Sequence, residues 1–148
     1  MIVPILLGSA SDKDHAQKIV DELNVFGIPS EVIVASAHKV PERVIELIEK
    51  YNKMEDVVYV TVAGRSNGLS GVTAGSSYHP VIACPPFKDK DDYMVNIHST
   101  LQMPSDTPVL TVLEPVNAAL SIARIFGLTH KDVFEKVVAR VKSVKASF

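Results

Sequence analysis

The residues best suited to chemistry in this chain stand in four short clusters: Gly8-Ser9-Ala10-Ser11-Asp12, Ser36-Ala37-His38-Lys39, Ala63-Gly64-Arg65-Ser66-Asn67-Gly68 and Cys84-Pro85-Pro86. The first has the make-up of an anion cradle. Gly8 permits a tight turn, Ser9 and Ser11 offer hydroxyls, and a helix starting near Asp12 would aim its unpaired N–H groups at a phosphate. Asp12 can then accept hydrogen bonds from a ribose diol. The same letters also read as an ordinary capping box, Ser11 with Asp14. Neither a GxGxxG fingerprint nor the GK[ST] ending of a P-loop is present, which counts against dinucleotide and nucleoside triphosphate sites.

In the second cluster His38 can move a proton near neutrality and Lys39 can steer an anion. A surface histidine with a solvated lysine is the plainer alternative. In the third, Gly64 and Gly68 allow close approach to a flat ligand, and Ser66 and Asn67 can hydrogen-bond a small polar group. Arg65 can meet a carboxylate or pair across a subunit boundary. No serine lies in a GxSxG elbow and Cys84 has no base beside it in the sequence, so nucleophilic catalysis is the weaker expectation. His15 and His130 are expected to be exposed, and His79 and His98 to lack clustered partners. No histidine pair has HxxxH or HxH spacing and no acidic cluster accompanies them, so no metal site is expected.

These clusters need elements to bring them together. Ile2 to Leu7, Ser30 to Ala35, Val57 to Val62, Val81 to Ala83 and Val109 to Val112 read as strands. Between them, Asp12 to Phe26 sets Ala16, Ile19, Val20, Leu23 and Phe26 on one helical face with Gly27 at the C-cap, and Pro41 opens a helix burying Val44, Ile45, Leu47, Ile48 and Tyr51. Leu69 to Ser77 is rich in small residues and fits a short, closely packed helix, and Asn117 to Gly127 reads as a further helix. Alternating strands and helices, with continuously apolar strands, predict an α/β fold: a three-layer α/β/α doubly wound parallel sheet, flavodoxin-like in outline. In such a sheet ligands bind beyond the carboxyl ends of the strands, where all four clusters fall. An additional C-terminal helix, about 129–147, is expected to start at a Thr129/Asp132 capping box. It carries a stripe of Val133, Phe134, Val137, Val138, Val141 and Val144.

Composition agrees with this reading. The 148 residues, 47% hydrophobic and 22% charged, suit one domain covering the whole chain. A formal charge of −2 without a long basic run argues against nucleic acid as a partner. The N-terminal MIVPILLG reads as a first strand instead of a signal peptide, and no apolar run nears the roughly 18 residues that span a bilayer, so no membrane association is expected. A single cysteine points to a reducing, cytoplasmic setting.

GSASD, SAHK, AGRSNGL, VIACPP, TLQMP (Thr100 to Pro104) and EPVNAAL (Glu114 to Leu120) follow one another in the order and spacing of the aminoimidazole ribonucleotide carboxylases of purine biosynthesis. The resemblance runs from Ile2 to about Leu128. SAHK with AGRSNGL is similar to the class II form, which uses carbon dioxide directly, whereas the form that rearranges the N-carboxylated isomer carries SAHR and a GGAAHLPG-type loop. The resemblance implies that Ser9, Ser11 and Lys39 contact the phosphate, Asp12 the ribose, and His38 the proton on the ring carbon. It implies a carbon dioxide pocket around Ser36, Gly64, Ser66 and Asn67, with Gly8, Arg65 and Gly68 also in the substrate site. It implies a standalone microbial enzyme needing no ATP, biotin or metal, with no cofactor, assembled as a homo-oligomer, a tetramer or octamer. Asp106 stands where the family often has glycine, and Gln102 where class II sequences often have arginine. A mutase for the N-carboxylated isomer, a noncatalytic flavodoxin-like or receiver-like module, and a carboxylase for another heteroaromatic compound stay open alternatives.

Overall fold

The computed structural model describes residues 1–148. Five parallel strands form its sheet: β1 (Val3–Leu7), β2 (Ser30–Val34), β3 (Tyr59–Val62), β4 (Val81–Ala83) and β5 (Leu110–Thr111), in the order β2-β1-β3-β4-β5. This is the flavodoxin-like order, in which the winding reverses between β1 and β3. The register pairs Ile5 with Val60 and Leu7 with Val62, so the two strands end side by side.

The side-chain alternation of the central strands feeds two cores. Val3, Ile5 and Leu7 of β1 join α1 (Lys13–Phe26), α6 (Pro115–Phe126) and α7 (Lys131–Ala146) on one face. Leu6 and Tyr59 join α2 (Pro41–Tyr51) and α3 (Gly68–Ser76) on the other. β1, β3 and β4 are buried throughout, as continuous apolar runs require when helices cover both faces. β2 departs from the expectation of a buried strand: it is the edge, and Val32 and Val34 are 41% and 45% exposed. β5, expected over Val109 to Val112, is only two residues long at the opposite edge, although Val112 N still donates to Ala83 O at 2.9 Å.

The C-terminal helix starts differently from the expected capping box. Its N-cap is His130 and no side chain caps it. Thr129 closes the previous helix instead, its hydroxyl donating to Phe126 O at 3.4 Å. The apolar stripe is half used: Val133 and Val137 are buried, whereas Phe134 and Val144 face outward. α7 is fastened at the end of α1, where Gly27 takes the left-handed conformation at φ 70°. There Lys136 Nζ donates to Phe26 O at 2.9 Å, a cation on a helix C-terminus. Arg140 lies 2.5 Å from Glu22 Oε1 and sits over the Phe26 ring.

Two short helices, α4 (Lys90–Asn96) and α5 (His98–Leu101), were not foreseen. No residue of α4 is buried, so it has no apolar stripe to reveal it. Its signal is a polar one: Asp89 caps the helix, with Asp92 N donating to Asp89 Oδ1 at 2.8 Å.

The Glu22 side chain is only 12% exposed, so Arg140→Ala strands a nearly buried carboxylate. We expect a loss of about 1–3 kcal/mol, read as a lower denaturant midpoint at unchanged slope.

Candidate active site

After β1 the chain turns at Gly8, whose N–H donates to Val62 O at 2.9 Å. A Cβ here would meet the Ala63 Cβ at 3.1 Å, so glycine lets the ends of β1 and β3 close up. Ser9, in extended conformation, caps a 3-10 turn over Ala10–Asp12. Its Oγ accepts from Ser11 N at 3.3 Å, and Ser11 Oγ lies 2.9 Å from Ser9 Oγ and 3.3 Å from Asp12 Oδ1. The Ser11/Asp14 capping box is therefore not what this turn uses. Partial burial raises the Asp12 carboxyl above its ordinary value, against the opposing pull of Ser11, Ser9 and His15.

After β2, Ser36 O accepts from Lys39 N and Val40 N, closing a tight turn that ends where Pro41 starts α2. The turn presents His38 toward Gly68. A Cβ on Gly68 would stand 2.9 Å from His38 Nε2 and 3.2 Å from Cε1, so the imidazole rests directly on the start of α3.

The segment after β3 supplies the third wall. A Cβ on Gly64 would meet Pro86 O at 2.8 Å, so the β3 and β4 loops touch backbone to backbone. Ser66 holds φ 44°, a left-handed conformation costing a non-glycine residue about 1–2 kcal/mol. Asn67 offsets this: its Oδ1 accepts from Ser70 N at 3.2 Å, its Nδ2 donates to Thr100 Oγ1 at 3.0 Å, and its N–H donates to Ser99 Oγ at 2.9 Å. Buried Thr61 and Ser70, with hydroxyls 2.7 Å apart, bring the small-residue face of α3 against the sheet.

These walls enclose one cleft of about 640 Å³. Gly8, Ser9, Ser11, Asp12, Ser36, His38, Lys39, Gly64, Arg65, Ser66 and Gly68 all line it. Asn67 is not among the lining residues: it is 3% exposed, and its side chain is hydrogen-bonded to α3 and α5. Pro86, from the fourth cluster, also lines the cleft, and sequence reasoning missed its neighbours in that wall, Phe87, Lys88 and Asp92, carried by the loop before α4 and its first turn. Phe87 packs edge-on against Tyr93, and Lys88 N donates to Asp92 Oδ2 at 3.0 Å. That bond chiefly holds the Asp92 carboxyl below its ordinary value, with Asn96, Arg65 and Lys88 adding to it.

Lys39, Arg65 and Lys88 all face this cleft, and none of them is ion-paired within the chain. A concave surface with three unpaired cations and clustered hydroxyls is chemically matched to an anionic, hydroxyl-bearing ligand.

Cys84 is fully buried and outside the cleft, and burial pushes its thiol up to about 12. Its expected isolation is corrected: His15 Nε2 lies 3.4 Å from Cys84 Sγ. His15 is thus half-buried, not exposed. His130 is also partly covered, 3.0 Å from Asp56 Oδ2. No three His, Cys, Asp or Glu side chains gather in a metal-holding cluster.

The model of the family described as AIR carboxylase matches residues 2–147. This chain belongs to the AIR carboxylase family. Among AIR carboxylase relatives, the phosphoribosylaminoimidazole carboxylase of Archaeoglobus fulgidus is 51% identical over 134 residues, 90% of this chain and 73% of that protein. A bifunctional phosphoribosylaminoimidazole carboxylase/succinocarboxamide synthetase of Drosophila melanogaster is 44% identical over 97% of this chain but only 33% of its own length. The crystal structure of Treponema denticola PurE superposes with a TM-score of 0.92 at 42% identity, covering 99% of this chain and 92% of that one.

Gly68→Ala would push the His38 imidazole aside by a few tenths of an ångström, since the ring is the movable partner of that contact. We expect turnover to fall by about tenfold to a hundredfold while the thermal midpoint stays near that of the parent, as a small misplacement of a group lining the cleft costs rate before stability.

Proposed function

We propose that this chain carboxylates 5-aminoimidazole ribonucleotide with carbon dioxide in purine biosynthesis, without ATP, biotin or a metal. The observation that carries the reading is the meeting of the His38 imidazole, the Ser9–Asp12 turn and three unpaired cations in one cleft. Ser9, Ser11 and Lys39 are assigned to the phosphate, Asp12 to the ribose diol, and Ser36, Gly64 and Ser66 to the carbon dioxide pocket. Gly8 and Gly68 bring backbone close to the ligand. Asn67 is assigned the support of that pocket instead of contact with the gas.

The substrate ring is an electron-rich enamine. Its nucleophilic carbon forms a bond to the carbon of carbon dioxide, one C–O π pair becomes the new carboxylate, and the ring carbon becomes tetrahedral. His38 takes the proton from that carbon, the C–H pair returns to the ring, and aromaticity is restored. The protein's task is to hold two reactants together and to exclude water. SAHK and AGRSNGL, which meet in the cleft where His38 rests on Gly68, support direct use of carbon dioxide over rearrangement of the N-carboxylated isomer.

His38, Lys39, Arg65 and Ser66 are exposed in the single chain, so a dry pocket needs a cover. We assign that role to a homo-oligomer, tetramer or octamer. The groove between α6 and α7, where Leu128 is 84% and Phe134 53% exposed, supports such assembly. No helix is long and apolar enough to cross a membrane, and we place the enzyme in the cytoplasm on its lone, buried, reduced cysteine.

The test is a spectrophotometric assay with aminoimidazole ribonucleotide and excess bicarbonate, without ATP, beside the N-carboxylated isomer. We expect carboxylation of the first, reduced by about 10² to 10⁴ in His38→Asn. Activity on the isomer alone would replace the carboxylase by a mutase, and silence on both would leave a nucleotide-binding module. Light scattering should show a species of at least four chains, shifted to smaller mass by Phe134→Glu at the exposed groove.

A further inference from the structure

Among the side chains outside the cleft, His15 and Cys84 stand apart. His15 lies one turn into α1, three residues after Asp12, on the same side of the helix. Its Nε2 is 3.4 Å from the thiol of Cys84, which follows β4, and that thiol lies 3.8 Å from Leu113 O just before α6. Glu114 is near enough to act on both His15 and Cys84, while its carboxylate accepts from Asn117 N at 2.7 Å and caps α6. The first turn of α1, the end of β4 and the start of α6 therefore converge on one imidazole. Cys84 is closed to solvent, so this pair has no access to a reactant and is not a second nucleophilic centre.

We propose that His15 is a positioning residue for Asp12: its contact with Cys84 fixes the ribose-binding turn against the sheet and so places the Asp12 carboxylate for the ligand. The inference rests on the reading that the cleft binds a ribonucleotide. The groups facing His15 are Asp12 and Lys18 from its own end of α1, Cys84 from β4 and Glu114 from the α6 N-cap. Desolvation and then Lys18 lower its proton affinity, outweighing the Cys84 backbone, Asp12 and Glu114. At neutral pH the ring is uncharged and leaves Asp12 alone. When acid protonates it, the imidazolium attracts the carboxylate three residues before it. Ribonucleotide binding should thus weaken as the pH falls through and below the ordinary imidazole range, about 6.5.

The experiment compares the parent protein with His15→Phe, His15→Asn and Cys84→Ser. It measures KM and kcat for aminoimidazole ribonucleotide, and calorimetric Kd for the same compound between about pH 5.5 and 8. We expect His15→Phe, which keeps bulk without a polar nitrogen, to raise KM and Kd about tenfold with kcat within about twofold of the parent. Cys84→Ser, which keeps a donor, should stay within about threefold of the parent in KM. The weakening of Kd on the acid side should be smaller in His15→Asn than in the parent, because phosphate protonation remains and imidazole protonation does not. Equal Kd values in parent and His15→Phe, or identical acid-side slopes in parent and His15→Asn, would overturn the proposal. A parent that neither binds nor turns over the compound would instead overturn the carboxylase reading on which it rests.

Discussion

Everything in this structure follows from the place where β1 and β3 lie side by side. Leu7 and Val62 are in register, and Gly8 lets the two strand ends close to within contact of Ala63. From that point the chain must leave in opposite directions, because parallel strands can be rejoined only by crossovers and each face of the sheet needs a covering layer. α1 goes to one face and α3 to the other. The space between their first turns cannot be filled by either helix, and it is there that the cleft opens. The site is thus a by-product of winding a sheet in two directions, furnished by whatever residues end the strands.

The cleft keeps its shape through neutral hydrogen bonds more than through charge. Asn67 binds α3 with its carbonyl, α5 with its amide and Ser99 with its backbone, while Thr61 and Ser70 are hydrogen-bonded hydroxyl to hydroxyl in the core beneath. Asn67, Thr100, Thr61 and Ser70 are buried, and each would cost about 1–3 kcal/mol if left unpaired. That penalty makes the arrangement specific, since a small shift of the loop would break several bonds together. It also permits the strained backbone at Ser66, which no single contact would sustain.

The parts of this architecture that the sequence reveals are those governed by local rules. Continuous apolar runs identify β1, β3 and β4, Gly27 ends α1 as a left-handed cap, and Pro41 starts α2. The strand-end clusters were legible as one site because the fold class says where such ends must meet. What escaped depends on contacts between distant segments. α4 and α5 bury almost nothing and so leave no periodic trace, and with them went Phe87, Lys88 and Asp92. Asn67 looks like a ligand contact by its neighbours, yet Ser99 and Thr100, some thirty positions later, claim it. His15 and Cys84, separated by 69 positions, could not have been paired by spacing. Edge exposure of β2 is likewise a property of strand order, which no single strand encodes.

Neutral scaffolding has an electrostatic consequence. Loops pinned by ion pairs would have used their charges on one another, but here the pinning groups are amides, hydroxyls and backbone N–H. Asp92, the carboxylate nearest in effect to Arg65, is held first by Lys88 N and only secondarily by the cations. Lys39, Arg65 and Lys88 are consequently brought to one concave surface without salt-bridge partners. The same uncharged framework leaves the His38 imidazole resting on Gly68 instead of being locked to a carboxylate. A scaffold that does not use its charges is what leaves three cations and an imidazole unpaired along one cleft.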